Sequence, residues 1–109
     1  VHEVDATPRG AFVDGLGAAA DADALATSCP GVALVVQGAD CVPVLLWRAD
    51  GQRVGAAHAG WRGLVEGVLR HAVDAVGDGP ALGAAIGPCV GPCCYPVDDA
   101  LRSRMAEAL

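Results

Sequence analysis

A cysteine and a histidine, 17 positions apart, are the residues of this sequence whose types are best suited to chemistry. Cys41 opens the apolar run CVPVLLW, and His58 lies near the end of the apolar run RVGAAHA. Asp40 precedes the cysteine and Gly60 follows the histidine, so each stands beside a turn signal. Residues beside turns at the ends of strands are often exposed and functional. We therefore expect the thiol and the imidazole to reach one place.

A third candidate ligand, His2, stands far upstream in the segment VHEV. A catalytic zinc typically takes three protein ligands from His, Cys and carboxylate groups and keeps a fourth position for water or substrate. His2, Cys41 and His58 supply such a set. No short CxxC-type motif fixes these ligands, so their spacing alone leaves the metal open. His71 lies in a helical pattern, and we interpret it as a solvent-facing residue with no role.

The same pair of residues permits a second chemistry. Cys41 is then a thiolate nucleophile and His58 its general base, as in cysteine hydrolases. Asp40 is a candidate catalytic residue that orients or acidifies either arrangement, and an equally open role for it is to end a strand. Arg62, at the start of a predicted helix, is a candidate for binding an anionic substrate group; its alternative is a surface ion pair.

The elements that must position these residues are those of an α+β or mixed α/β domain. One long helix is predicted from Arg62, where the apolar spacing becomes helical, with Gly77 at its end. The segment IGPCVGPCCYP is predicted to be a rigid loop, and Asp98 is predicted to cap a last helix. The continuous apolar runs predict strands that are covered on both faces, in GVALVVQG, CVPVLLW, RVGAAHA and ALGAAIGP. The segment VHEV also has a strand-like pattern.

Length and charge limit the classes of function. The chain has 109 residues, and both ends fall within predicted elements, so we expect residues 1–109 to be part of a single domain truncated at both ends. Seven basic against 13 acidic residues give a net charge of −6, which opposes binding to nucleic acid. The apolar runs are too short to span a membrane. We expect a cytoplasmic protein.

Five cysteines do not predict a disulfide framework here. Their number is odd, and Cys93 and Cys94 are adjacent. In a reducing compartment, such residues are metal ligands, nucleophiles or small buried hydrophobes. We expect the buried role for Cys29, Cys89 and Cys93, and leave Cys94 open between the core and the site.

Four blocks of the sequence together resemble the bacterial YfiH family, described as laccase-like or multicopper polyphenol oxidases. The blocks are the opening VH, ADCVPVLL, AAHAGWRG and IGPCVGPCCYPV. The resemblance implies a layered α/β/β/α fold with mixed sheets, of the YfiH-like (cysteine-hydrolase-like) type and incomplete in this chain. It also implies zinc held by His2, Cys41 and His58. Its substrates would be purine nucleosides and phosphate: adenosine is deaminated, and adenosine, inosine, guanosine or methylthioadenosine is cleaved by phosphate.

The chain departs from the family pattern at two positions: Glu3 replaces the usual Gly, and Pro96 stands where Glu is usual. Copper, the metal of the older family name, is the alternative cofactor, and a copper oxidoreductase the alternative activity. A multicopper oxidase needs many His ligands, and this sequence has three. A blue-copper centre also needs a weak axial Met ligand. Met105 is far from Cys41 and His58 in the sequence, in the predicted terminal helix. We expect zinc, and self-association through sheet edges that the missing parts leave exposed.

Overall fold

The computed structural model describes residues 1–3 and 22–108, without the side chains of residues 2 and 3. Five strands, three helices and one 3-10 turn are present in this part of the chain. In chain order they are β1 (His2–Glu3), β2 (Ala24–Thr27), β3 (Val42–Arg48), β4 (Val54–Ala59), α1 (Trp61–Val65), α2 (Val68–Val76), β5 (Leu82–Ile86), the turn Pro92–Cys94, and α3 (Asp99–Ala108).

The strands form one sheet in the order β1-β2-β4-β3-β5. β1 runs parallel to β2, and the other neighbours are antiparallel, so the predicted α+β class with a mixed sheet is confirmed. The β3–β4 hairpin turns at Gly51, which has a φ of 70°. Arg48 and Asp50 form an ion pair of 2.8 Å beside this turn. Within residues 22–108, no helix is long and apolar enough to cross a membrane.

Helix α2 packs on one face of the sheet and makes the core. Its side chains Val68, Ala72 and Val76 are buried against strand residues that include Val44 and Leu46. Small strand residues let the helix approach closely: a Cβ on Gly55 would lie 2.7 Å from Cγ2 of Val76. Buried and exposed side chains alternate along β3: Leu45 and Trp47, on the face away from α2, are 50% and 42% exposed. The described elements therefore cover one face of this strand, whereas its apolar run predicted cover on both.

The predicted single helix is two helices. Gly67 has a φ of 79°, in the left-handed region that glycine enters without a Cβ penalty, and it separates α1 from α2. The predicted apolar face survives this break, because residues from both helices pack at the sheet. Gly77 ends α2 as predicted, and its N–H donates to the carbonyl of Val73 at 2.8 Å.

The strand predicted for GVALVVQG is wrong. Residues 32–38 have no regular secondary structure, and no described strand pairs with them. Apolar and β-branched composition favours an extended backbone, but a strand also needs a hydrogen-bonded neighbour, which local sequence does not supply.

The segment after β5 is a loop with one 3-10 turn, as predicted. The Asp98 cap is confirmed, since its Oδ1 accepts a hydrogen bond from the N–H of Leu101 at 2.7 Å. Burial of Cys89 and Cys93 is wrong: both are exposed, because the Gly- and Pro-rich loop that carries them is itself exposed. Cys29 is half-buried. Truncation of the domain and pairing through sheet edges stay predictions.

Candidate functional site

The register of β3 and β4 brings Cys41 next to His58. Val42 pairs with Ala59, and Pro43 pairs with His58. Cys41 precedes Val42, and Gly60 follows Ala59, so the cysteine and this glycine are opposite one another where the two strands meet their loops. The side chains of Cys41 and His58 are both half-buried. The convergence predicted for this pair is what the hairpin produces.

A small gap beside Gly60 separates the thiol from the imidazole. A Cβ on Gly60 would lie 3.4 Å from Sγ of Cys41, 3.4 Å from Cε1 of His58 and 3.9 Å from Nε2 of His58. The sulfur and this edge of the ring therefore face one common point. Glycine keeps the point open, since any other residue would fill it with a methyl group or more.

Asp23 holds the imidazole through its Nδ1 atom. Its Oδ1 lies 3.1 Å from Nδ1 of His58, and its backbone carbonyl accepts the N–H of His58 at 2.8 Å. A carboxylate only accepts, so this contact favours the tautomer in which Nδ1 carries the proton and Nε2 keeps a lone pair. A histidine that binds metal through one nitrogen usually donates the other N–H to a carboxylate or carbonyl in this way.

Sequence reasoning missed Asp23. It lies 35 positions from His58, and only the pairing of β2 with β4 brings the two together. Asp40, the aspartate that the sequence favours, is exposed, and its backbone carbonyl accepts the N–H of Val90 at 3.1 Å.

An open pocket of about 630 Å³ adjoins His58. Its walls come from the segment before Cys41, from Pro43 on β3 and from Pro88 in the loop after β5. That loop is fixed to the Cys41 end of β3, since the N–H of Gly87 donates to the carbonyl of Pro43 at 2.9 Å. The residues that line the pocket are Val36, Gln37, Gly38, Ala39, Pro43, His58 and Pro88.

Arg62 lies two positions beyond Gly60, in the first turn of α1, and it is exposed. Its guanidinium carbon stacks 4.4 Å from the centre of the Trp61 ring, and that of Arg104 lies 5.6 Å from the same ring. The tryptophan thus connects α1 to α3, and it holds a cationic side chain close in sequence to the gap.

The structure describes the side chains of two of the three proposed zinc ligands, Cys41 and His58. The backbone of His2 lies in β1 and pairs with Leu25 of β2, which neighbours β4, but its side chain is outside the described residues. Among the side chains that are described, no three His, Cys, Asp or Glu groups converge on one ion position. Cys41 and His58 are two of the predicted ligands, and the third stays a prediction. His71 is exposed, as expected.

The sequence profile of a family described as "Multi-copper polyphenol oxidoreductase laccase" matches residues 1–109, the whole chain. The chain belongs to this family. It is the YfiH family to which the sequence motifs pointed, and one of its named relatives carries that name.

Two curated relatives illustrate the match. "Purine nucleoside phosphorylase PA4543" of Pseudomonas aeruginosa is 54% identical over 56 residues, which are 51% of this chain and 23% of that protein. "Purine nucleoside phosphorylase YfiH" of Escherichia coli is 49% identical over 59 residues, which are 54% of this chain and 24% of that protein. The matched regions thus span about a quarter of these laccase-family proteins.

Solved structures in the same family share the fold. The Neisseria meningitidis protein NMB0706 superposes with a TM-score of 0.77 at 38% identity, over 84% of this chain and 38% of that one. YlmD from Geobacillus stearothermophilus gives a TM-score of 0.72 at 38% identity, over 79% of this chain and 34% of that one.

Proposed function

We propose that this laccase-family chain belongs to a zinc-dependent purine nucleoside enzyme. Its reactions are phosphorolysis of adenosine, inosine, guanosine and methylthioadenosine, and deamination of adenosine. Phosphorolysis is supported by the relatives named purine nucleoside phosphorylase. The proposal of a metal ion is supported by the gap beside Gly60, which Cys41 and His58 both border.

Cys41, His58 and His2 would hold the zinc. Thiolate and imidazole are preferred zinc donors, and three protein ligands leave one position open. The fit is supported by the space that a Cβ on Gly60 would take and by the Asp23 contact that leaves Nε2 of His58 available. When bound, zinc supplies Lewis-acid chemistry to the reaction.

The chain's own residues bind and orient the reactants. Asp23 fixes the ring of His58 by accepting a hydrogen bond from Nδ1–H, which leaves the lone pair of Nε2 for a metal ion. The open pocket beside His58 offers apolar walls and backbone groups to a purine. Arg62 supplies a positive charge for phosphate, and its stacking on Trp61 limits how far it can move. Asp40, next to Cys41 in the sequence, remains a candidate for orienting or acidifying the pair.

Product analysis tests the proposal. The protein is incubated with adenosine, with and without phosphate, and the products are separated by chromatography. We expect adenine and ribose 1-phosphate only when phosphate is present, and inosine in both mixtures. Cys41→Ala is the control, and it should abolish all three products. Turnover equal in wild type and Cys41→Ala, or no turnover in either, contradicts the proposal.

A metal-free hydrolase or deamidase is the second candidate, because the thiol of Cys41 and the imidazole of His58 border the same gap beside Gly60. Chelation separates the two. Activity that survives removal of metal, together with iodoacetamide labelling of Cys41 that added zinc leaves unchanged, supports the hydrolase. Loss of activity on chelation and recovery with zinc, but not with copper, supports the zinc enzyme and excludes the copper oxidoreductase of the family's older name.

A further inference from the structure

Cys93 and Cys94 form an exposed pair of thiols on the loop after β5. Both lie in the 3-10 turn Pro92–Cys94, and their sulfur atoms are 3.0 Å apart. The N–H of Cys94 donates to the carbonyl of Gly91 at 3.0 Å, which fixes the turn. Neither sulfur belongs to the site between β3 and β4. The pair is available to a ligand from solution.

The separation of the two sulfurs selects the geometry of an atom that bridges them. At sulfur bonds of about 2.3 Å, the length of a zinc–thiolate bond, a pair 3.0 Å apart subtends about 80° at the bridging atom. With the same bonds, a tetrahedral centre needs sulfurs about 3.8 Å apart, and a linear one needs about 4.6 Å. The pair suits a pyramidal centre, whose bond angles lie near a right angle.

A disulfide between the two cysteines is a poorer use of the pair. Adjacent Cα atoms lie about 3.8 Å apart across a trans peptide, whereas disulfides usually join Cα atoms about 4.4–6.8 Å apart. The pKa of the Cys94 thiol is raised, because its hydrogen bond with Cys93 favours the protonated form. A protonated thiol is a weak nucleophile in disulfide exchange.

We propose that Cys93 and Cys94 form a two-thiol site for trivalent arsenic of the arsenoso class, R–As=O. The reaction is a condensation in which two As–S bonds form and two S–H bonds and the As=O double bond break. The oxygen leaves as water with both thiol protons, and arsenic stays trivalent. No oxidant or reductant takes part.

The ligand's own substituent fills the third position on arsenic. In the part of the chain that the structure describes, no third His, Cys, Asp or Glu converges with this pair on one ion position. A monosubstituted arsenical needs two thiols and no more, so the site matches its valence. The turn already holds the two sulfurs close, which reduces the ordering cost of chelation.

Phenylarsine oxide is the probe. The reduced protein is titrated with it, adducts are followed by intact-mass spectrometry, and free thiols are counted with a chromogenic disulfide. We expect one phenylarsenic group per chain, the loss of two of the five thiols, and release by 2,3-dimercaptopropanol. Cys93→Ser and Cys94→Ser should each weaken binding by about 100-fold or more, because the second As–S bond is lost with the effective concentration of its thiol.

Matched variants keep the test decisive. Cys89→Ser changes another exposed thiol of the same loop, and Cys41→Ala removes the thiol of the proposed zinc site; both should bind like wild type. Circular dichroism checks that each variant folds. Equal binding by Cys93→Ser and wild type, loss of one thiol per arsenic, or equal weakening by Cys89→Ser overturns the proposal. Because Cys41→Ala retains arsenic, failure of the zinc proposal leaves this result unchanged.

Discussion

Two pairs of side chains in this molecule use cysteine in different surroundings. Cys41 is half-buried just before β3 begins, and it shares a gap with an imidazole that a carboxylate orients. Cys93 and Cys94 are exposed on a loop, and each is the other's hydrogen-bond partner. The first pair leaves a gap between its members, whereas the second brings its two sulfurs into contact.

This difference shows that the side chains around a cysteine, rather than the thiol alone, determine which metal or metalloid it suits. A thiol and an imidazole around a gap suit a borderline metal such as zinc. Two thiols in contact suit a centre that bonds sulfur at a narrow angle. Gly60 and Gly91 sharpen this comparison, because both precede a helical turn with a φ of −77° and a ψ near 160°. A glycine of the same backbone conformation therefore adjoins each site.

Cys41→Ala should have the largest effect. Removing one of three zinc ligands is expected to reduce bound zinc from about one per chain to background, since affinity depends on the full ligand set. Metal analysis after gel filtration measures this. Cys94→Ala is the matched control and should keep its zinc. If both variants lose zinc equally, the metal is not assigned to the β3–β4 gap.

Asp23→Asn should come next. The amide oxygen still accepts from Nδ1 of His58 but carries no charge, and loss of such a partner typically costs about 10–100-fold in metal affinity or activity. Competition with a chromogenic chelator gives the affinity. Asp74→Asn, on the exposed side of α2, controls for charge and should have no effect. Equal affinity in Asp23→Asn and wild type would remove this residue from the site.

Gly60→Ala tests the gap directly, and Gly91→Ala is its matched control beside the other pair of side chains. The new methyl group at Gly60 would lie 3.4 Å from both Cys41 and His58, in the gap proposed for zinc, and by occupying that space it is expected to weaken zinc binding about tenfold, or by about 1.4 kcal/mol. At Gly91 the methyl meets Sγ of Cys93 at 3.6 Å, an ordinary contact, and zinc binding should not change. Chelator competition on both proteins compares them. An equal effect at the two positions argues against a special gap at Gly60.

Asp98→Ala should have the smallest effect and change stability alone. It removes the side-chain acceptor for the N–H of Leu101 and should cost about 1 kcal/mol of unfolding free energy, or about 4–8 °C in melting temperature. Thermal denaturation followed by circular dichroism measures this. Zinc and arsenic binding should both remain, since Asp98 contacts neither pair. A loss of either ligand would show that stability and binding are coupled through α3.

Local signals predicted much of this fold, and long-range pairing accounts for what they missed. The runs CVPVLLW and RVGAAHA form β3 and β4 because each is apolar, short and bounded by turn residues. GVALVVQG has the same composition but no partner strand in the described part, so composition misled. Gly67 interrupts the predicted helix with a left-handed φ of 79°. The sequence did not reveal this break, because the helical spacing of apolar residues continues on both sides of the glycine.

The candidate site was predictable where one hairpin forms it. Cys41 and His58 flank the β3–β4 hairpin, so their meeting follows from local strand order. Asp23 was not predictable, because β2 joins β4 from far away in sequence and no motif marks the residue. The exposure of Cys89 and Cys93 was also missed. Free cysteines are commonly buried, but the Gly- and Pro-rich loop that carries these two lies at the surface.

X-ray absorption spectroscopy at the zinc edge, on zinc-loaded wild type and Cys41→Ser, tests the central claim most directly. We predict one sulfur at about 2.3 Å and nitrogen or oxygen ligands at about 2.0–2.2 Å in the wild type, and no sulfur in the variant. Zinc bound by two sulfurs, or one sulfur that persists in Cys41→Ser, would contradict the account and move the metal away from the gap between Cys41 and His58.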